Sequence, residues 1–315
     1  MNLNARGLAV VESMRGRAEE LRVVEHAVDG GGRVFDLGIG TRGGLRAGIE
    51  LARVCLADLA SVSLEAGEVA GRPCAMVRVA TDHPVAACLA SQYAGWAVSV
   101  GKYFAMGSGP MRAARGGEPI YEKIGLVEGP TEVVGVLEGR KVPGPQVVAA
   151  VAEACGVAPS NVTLLIAPTA SLAGCLQVVA RSVETALHKL AEVGFDLGRV
   201  VSAFGSAPLP PVAKDDLAAI GRTNDAVLYG ARVILHVSGD VDAMIAELGP
   251  RVPSCSSKDH GEPFAAIFAR YDHDFYKVDP HLFSPAEVVF QNIDTGRSWS
   301  FGAIAPEVLA RSFFA

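Results

Sequence analysis

The order and spacing of apolar residues predict an α/β fold in two lobes with a cleft between them. Three observations lead there. Strand-like apolar runs alternate with stretches of helical periodicity along most of the chain. At 315 residues, 50% of them hydrophobic, the chain is long enough to divide into two cores. Pro143-Gly144-Pro145, which a helix interior does not tolerate, punctuates the middle. That punctuation sets the predicted division, an N-terminal α/β lobe over 1–145 and a C-terminal α/β lobe over 146–315, although nothing in the pattern forbids the chain from crossing between lobes again.

Each element has its own signal. Leu8, Val11, Leu21 and Val24 set among charges predict an amphipathic helix over 4–28. Residues 33–37 read as a strand, and 44–59 as a helix with Leu45, Ile49, Ala52, Leu56 and Leu59 on one face. A strand at 75–79 precedes an apolar helical run over 85–96. Beyond a strand at 132–137 come a helix at 146–155, a strand at 161–166, a long helix at 172–193, a strand at 200–204, a helix at 215–228 and a strand at 232–237. Residues 287–292 and 298–301 bracket Asp294-Thr295-Gly296 as a β-hairpin, and a short helix from Pro306 closes the chain.

Composition narrows the function classes. The formal net charge of −6, with no basic block, argues against a nucleic-acid partner, which needs clustered Lys and Arg. No uninterrupted apolar run reaches membrane-spanning length, and the N-terminus alternates apolar residues with Arg and Glu, so a cytoplasmic protein without membrane contact is expected. Cys55, Cys74, Cys88, Cys155, Cys175 and Cys255 show no zinc-type spacing and read as buried thiols, and Cys255 with His260 is too few ligands to imply a metal.

A nicotinamide reading has one motif behind it. Gly38-Ile39-Gly40-Thr41-Arg42-Gly43 matches Gly-x-Gly-x-x-Gly between a strand and a helix, with Glu65 about 20 residues on for a ribose. An NAD(P)-dependent oxidoreductase would use this loop to bring backbone amides to a pyrophosphate. Against it, Asp36 interrupts what should be a buried parallel strand, and a long helix precedes what would be the first strand. Such a string is also ordinary turn glycine.

The segment over 172–193 carries the other candidate chemistry. At about 100° per residue, Leu172, Leu176, Val179, Val183, Leu187 and Leu190 form one apolar stripe. Opposite it Gln177, Arg181, Glu184 and His188 recur at helical spacing as a polar ridge. Spacing alone also fits a solvated face laced with weak ion pairs. Position favours a site: the strand at 161–166 runs through Ala167-Pro168-Thr169-Ala170-Ser171 into the helix start, where α/β proteins often place ligands. Thr169 or Ser171 there can cap the helix and leave amides for an anion.

At these residues the chain resembles the methenyltetrahydromethanopterin cyclohydrolases of methanogenic archaea and formaldehyde-oxidising bacteria. Besides 168–189, the matching stretches are Gly95-Trp-Ala-Val-Ser-Val-Gly-Lys-Tyr-Phe-Ala-Met-Gly-Ser-Gly-Pro110, Gly221-Arg-Thr-Asn-Asp-Ala226 with Leu228-Tyr-Gly230, and Phe275-Tyr-Lys-Val-Asp-Pro-His-Leu-Phe-Ser-Pro-Ala286. The resemblance covers nearly the whole chain. It implies hydrolysis of the 5,10-methenyl cation of a tetrahydropterin to the 5-formyl form, without metal or redox cofactor, in an active-site cleft between two α/β lobes of a homotrimer.

The family's catalytic Arg and Glu fall on Arg181 and Glu184, and Lys102 on a lysine of its pterin cleft. Glu184 would act as base and acid for water, with Arg181 orienting it. Gly107-Ser108-Gly109-Pro110 reads as a turn or as a backbone cradle for polar substrate groups, which makes Ser108 and Gly109 binding candidates together with Ser171. Asn224 and Asp225 either cap a helix or bind substrate, and Phe283 and Ser284 either line the pterin pocket or belong to core and helix start. Cys175 and Met111 depart from the smaller Ser and Ala of the family. A catalytically silent pterin-binding protein of the same fold is the third reading, and intact Arg181 and Glu184 argue against it.

Overall fold

The computed structural model describes residues 1–314, apart from the side chain of Tyr276. Among the described residues the strands are β1 (Val24–Ala27), β2 (Arg33–Asp36), β3 (Ser61–Val69), β4 (Arg72–Thr81), β5 (Trp96–Val100), β6 (Tyr103–Ser108), β7 (Val133–Glu138), β8 (Val162–Ala167), β9 (Val200–Pro208), β10 (Arg232–Val237), β11 (Glu287–Asn292) and β12 (Ser298–Gly302). They form two six-stranded sheets, β1-β2-β8-β7-β6-β5 and β12-β11-β10-β9-β4-β3. Helices accompany both sheets, so the α/β class holds.

Two compact units follow the sheets: Met1–Ala60 with Ala86–Val178, and Ser61–Val85 with Val179–Ala315. The chain thus passes between units repeatedly, and a single division at 145/146 does not describe it. β8 is the reason. It pairs in parallel with β2 on one side and β7 on the other, so the segment after Pro145 completes the centre of the first sheet.

In the first unit period-2 alternation divides two cores between the sheet's faces. Leu165 of β8 and Val134 and Val136 of β7 meet Val10, Val11 and Met14 of the helix Leu3–Arg15 and Ala47, Leu51 and Val54 of the helix Leu45–Cys55. Val162, Leu164 and Ile166, with Val133 and Leu137, meet Val147, Val148 and Val151 of the helix Pro145–Cys155. Every residue of β8 is buried, as a parallel strand covered on both faces requires. The helix predicted at 44–59 ends at Cys55; of its predicted face Ala52, Leu56 and Leu59 are buried, whereas Leu45 stands exposed.

Several local differences have clear causes. The single helix over 4–28 ends at Arg15, with one further short turn. Arg22 is left-handed, and residues 24–27 become β1, paired with β2 across the glycine turn Gly30-Gly31-Gly32. β3 has no counterpart in the predicted elements; it pairs with β4 through Ala70-Gly71, both at positive φ, the two-residue geometry that suits a twisted hairpin. The apolar run from Val85 is a π-helix, Val85–Gln92, and Trp96 already belongs to β5. Arg112, fully buried, donates to the Leu89 and Ser91 carbonyls at 3.1 and 3.2 Å and fixes its end. The bracketed hairpin at Asp294–Gly296 forms as β11 and β12, with β11 also parallel to β10.

In the second unit β9 pairs antiparallel with both β10 and β4, and the helix Ser182–Val193 packs on β9 and β10. Gly205 of β9 allows that approach: a Cβ there would clash with Ser182 Oγ. The helix Asp216–Leu228 packs on β9 and against the helix Phe264–Arg270. No described helix is long and apolar enough to cross a membrane.

Candidate active site

The continuous helix that periodicity predicts over 172–193 is two helices, Leu172–Val179 and Ser182–Val193, with Ala180 and Arg181 in the turn between them. The break falls where the chain leaves the first unit for the second, which no local pattern records. It also cuts Gln177 off from the rest of the predicted ridge. Gln177, fully buried, donates to Cys55 Sγ at 3.2 Å within the first unit, whereas Arg181 precedes the second helix and Glu184 lies in its first turn. Of the apolar stripe only Leu172, 37% exposed, stands outside the core.

Glu184 is the third residue of its helix, where unpaired amides and the helix dipole favour a carboxylate. Arg181, just before the helix, turns its side chain forward so that Nε donates to Glu184 Oε2 at 2.9 Å. The two side chains are 15% and 2% exposed, so they are not the solvated face that spacing alone also fits. Burying an ion pair typically costs more in lost hydration than it returns as stability. A pair of this kind, holding a carboxylate beside a fixed guanidinium, has the groups to bind and deprotonate a water molecule.

Of the other candidates in the second unit, Asp225 and Phe283 both meet Phe264. Asp225, fully buried, accepts the Phe264 N–H at 2.7 Å and so caps the helix Phe264–Arg270 from a neighbouring helix. Phe283 packs edge-on against Phe264 at 5.7 Å and lies 6.0 Å from Phe275. Asn224 donates to the Ile220 carbonyl at 2.8 Å, one turn back. Ser284 is buried, and its Oγ has no hydrogen-bond partner among the described residues.

Burial pushes the Asp225 carboxyl up to about 7, against the opposing Ser312 hydroxyl and Phe264 N–H. Because the folded value is raised, the unfolded chain releases this proton first, and the group's contribution to stability is lost as pH rises from about 4 through 7. Asp225→Asn keeps an acceptor for Phe264 without the charge. Its stability relative to the parent should therefore grow between pH 4 and 8, by an amount of the order of 2–4 kcal/mol in urea unfolding. A pH-independent difference would contradict the assignment.

The first-unit candidates are not in one place. Lys102 sits exposed at the two-residue turn between β5 and β6, whereas Ser108 ends β6, roughly 20 Å away at the rise of a strand. Ser108 Oγ lies 3.3 Å from Cys55 Sγ, and Gly109, at φ +88°, gives its N–H to the Ser91 carbonyl at 2.8 Å. Ser171 donates to the Pro168 carbonyl at 2.7 Å and accepts the Gly174 N–H at 3.0 Å, so it caps the helix start. Met111 and Cys175, the two departures from the family pattern, are core residues. Met111 fills the space over Gly135 and Gly107, where no Cβ would fit.

The Gly38 loop is closed to a pyrophosphate by the protein's own carboxylate. Asp36 accepts the N–H groups of Gly38, Ile39 and Gly40 at 2.9, 2.7 and 2.7 Å. These are the amides that a dinucleotide would need. Asp36→Ala should cost about 2–4 kcal/mol, because it strands donors around a buried position. Thermal unfolding measures the loss. Unchanged stability would show that the carboxylate does not organise the loop.

Sequence reasoning missed Lys189. Its helical position falls on neither the stripe nor the ridge, yet it is 1% exposed and bonded to His281. Its signal is a lysine beside His188 among the apolar Ala186, Leu187, Leu190 and Ala191. The thiols divide differently from expectation: Cys55, Cys88, Cys155 and Cys175 are buried, Cys74 half-buried and Cys255 exposed.

A family model described as Cyclohydrolase (MCH) matches residues 2–313. The methenyltetrahydromethanopterin cyclohydrolase of Rhodopirellula baltica is 52% identical over 288 residues, covering 90% of this chain and 86% of its own length. That of a Methylobacterium species is 46% identical, covering 99% of this chain and 97% of its own length. The archaeal counterpart from Methanococcoides burtonii is 38% identical across 99% and 98% of the two chains.

Proposed function

The chain belongs to the cyclohydrolase (MCH) family, and from that premise we propose that it hydrolyses 5,10-methenyltetrahydromethanopterin to the 5-formyl form, reversibly, as a one-carbon enzyme. The observation that carries the reading is the Arg181–Glu184 pair, joined at 2.9 Å at the start of a helix with the carboxylate buried and the guanidinium largely covered. Full-length similarity to proteins of that printed name supports it.

In this mechanism the bridging methenyl carbon is an amidinium-like cation, open to addition of water once a base takes a proton. Glu184 removes that proton as the C–O bond forms. The adduct is tetrahedral and neutral, with oxygen and two nitrogens on the former bridge carbon. Glu184, now the acid, gives the proton to one of those nitrogens as its C–N bond breaks; the adduct's hydroxyl releases its own proton to solvent and becomes the formyl carbonyl, so the cation and water yield the neutral formyl pterin and one proton. Arg181 keeps the carboxylate in one orientation through both transfers.

For the rest of the substrate, Phe283 offers a ring and Ser284 an unspent hydroxyl. Lys102 offers an exposed ammonium to an anionic tail. Ser108, Gly109, Ser171, Asn224 and Asp225 have polar groups bonded within the chain, and their part in the proposal is to shape loops and helix starts. The reaction as written needs neither metal nor redox cofactor. Cytoplasmic location and assembly as a homotrimer belong to the same reading.

The test is to follow the methenyl chromophore with purified protein and no added metal or nucleotide. The reading expects enzyme-proportional loss. Binding without acceleration would favour a silent pterin-binding protein, and a stable complex with NADH would favour the oxidoreductase.

A further inference from the structure

Lys189 lies on the helix Ser182–Val193 that carries Glu184, about 7–8 Å of helix axis beyond it. Its Nζ donates to the His281 carbonyl at 2.8 Å and to His281 Nδ1 at 2.8 Å, with Ser256 Oγ at 3.5 Å. An ammonium only donates, so His281 accepts at Nδ1 and carries its ring proton on Nε2. His281 belongs to the turn Pro280–Leu282, and the next two residues are Phe283 and Ser284. The same turn is held from its other end by Asp279, which accepts the His281 N–H at 3.0 Å and the Ser257 hydroxyl at 2.7 Å. Burying an ammonium in order to grip one residue twice is costly, and apolar packing would hold a structural turn more cheaply.

We infer that Lys189 is a positioning residue: through its grip on His281 it fixes Phe283 and Ser284 relative to Glu184 and so sets how tightly the chain holds its pterin. The inference rests on the cyclohydrolase reading above and adds to it a residue that touches neither the reacting carbon nor the water.

The grip has a pH limit. Burial lowers the Lys189 ammonium to about 8; Asp279, Glu192 and Cys255 oppose that shift and Arg251 adds to it. Above that value a neutral amine has two hydrogens for its three neighbours and no charge to strengthen the bonds. The fold itself does not weaken over the same range. An unfolded lysine keeps its proton to about 10.5, so between about 8 and 10.5 the unfolded chain binds the extra proton, and stability contributed by this group rises with pH. Loosening of the turn and unfolding therefore run in opposite directions with pH.

The experiment measures kcat and KM of the full chain for the methenyl pterin from pH 7 to 9.5, for wild type, Lys189→Met and Lys189→Arg. Wild-type KM should climb as pH passes 8. Lys189→Met should show KM raised roughly tenfold at pH 7 with kcat within about threefold, and no further rise with pH. Lys189→Arg, which cannot lose its charge, should restore KM towards the wild-type value and keep it flat to pH 9.5. An unmoved KM in Lys189→Met, or a fall in kcat alone, overturns the inference. Should that variant not fold, a wild-type KM that is flat across pH 8 overturns it as well. Absence of wild-type turnover overturns the cyclohydrolase reading itself, which separates the two failures.

Discussion

Glu184→Gln should lower kcat for methenyl hydrolysis by a factor of about 100 to 10,000 and leave pterin affinity within a few-fold of the parent. The amide preserves the shape of the side chain and keeps an oxygen to accept from Arg181 Nε, so the contact at 2.9 Å has a replacement. What disappears is the ability to take a proton from water and return it to the leaving nitrogen. The loss falls on both transfers and so on kcat, whereas the pterin ring system does not depend on that proton. Steady-state kinetics with a separate binding titration make the comparison. Turnover within about threefold of wild type would remove Glu184 from the mechanism.

Arg181→Leu should be damaging in two ways. It leaves a carboxylate whose side chain is 2% exposed without its guanidinium, which should cost roughly 2–4 kcal/mol in denaturant unfolding. It also frees the carboxylate to rotate, and a misplaced general base typically loses about a hundredfold in rate. Arg181→Lys separates the two effects: the charge remains, but the planar fork that fixes the carboxylate does not. Stability should recover more than kcat. Recovery of both to wild-type levels would mean that charge alone suffices and that orientation plays no part.

How much of this was legible in the sequence differs from element to element. Strands with both faces buried, such as β8, are visible as unbroken apolar runs, and β11 and β12 are visible because Asp294-Thr295-Gly296 is strong turn chemistry. β3 is hidden because Glu65 and Glu68 interrupt an edge strand whose turn, Ala70-Gly71, carries only one glycine. The division into units is hidden because it depends on which strands pair, and β8 inserts between β2 and β7 from far along the chain. Pro143-Gly144-Pro145 marks only a loop between β7 and the next helix.

The site shows the same limit. Spacing puts Arg181 and Glu184 on a polar ridge without separating a site from a solvated face, and the family resemblance singles them out; their burial and the helix break between Val179 and Ser182 depend on tertiary packing, including the close approach that Gly205 permits. The Gly38 string illustrates the opposite error. Its match to a phosphate-binding pattern is real, and Asp36, two residues earlier, already occupies its amides. Asp225 was legible as a capping residue, though it caps the helix from Phe264 and not its own.

The most direct test of the account is loss of the methenyl chromophore measured side by side for the parent chain and Glu184→Gln, with tetrahydromethanopterin and tetrahydrofolate forms of the substrate. The account predicts rapid, enzyme-proportional loss of the methanopterin form with the parent chain and near-background loss with the variant. A parent rate equal to the buffer rate with both substrates, or equal rates for parent and variant, would contradict it.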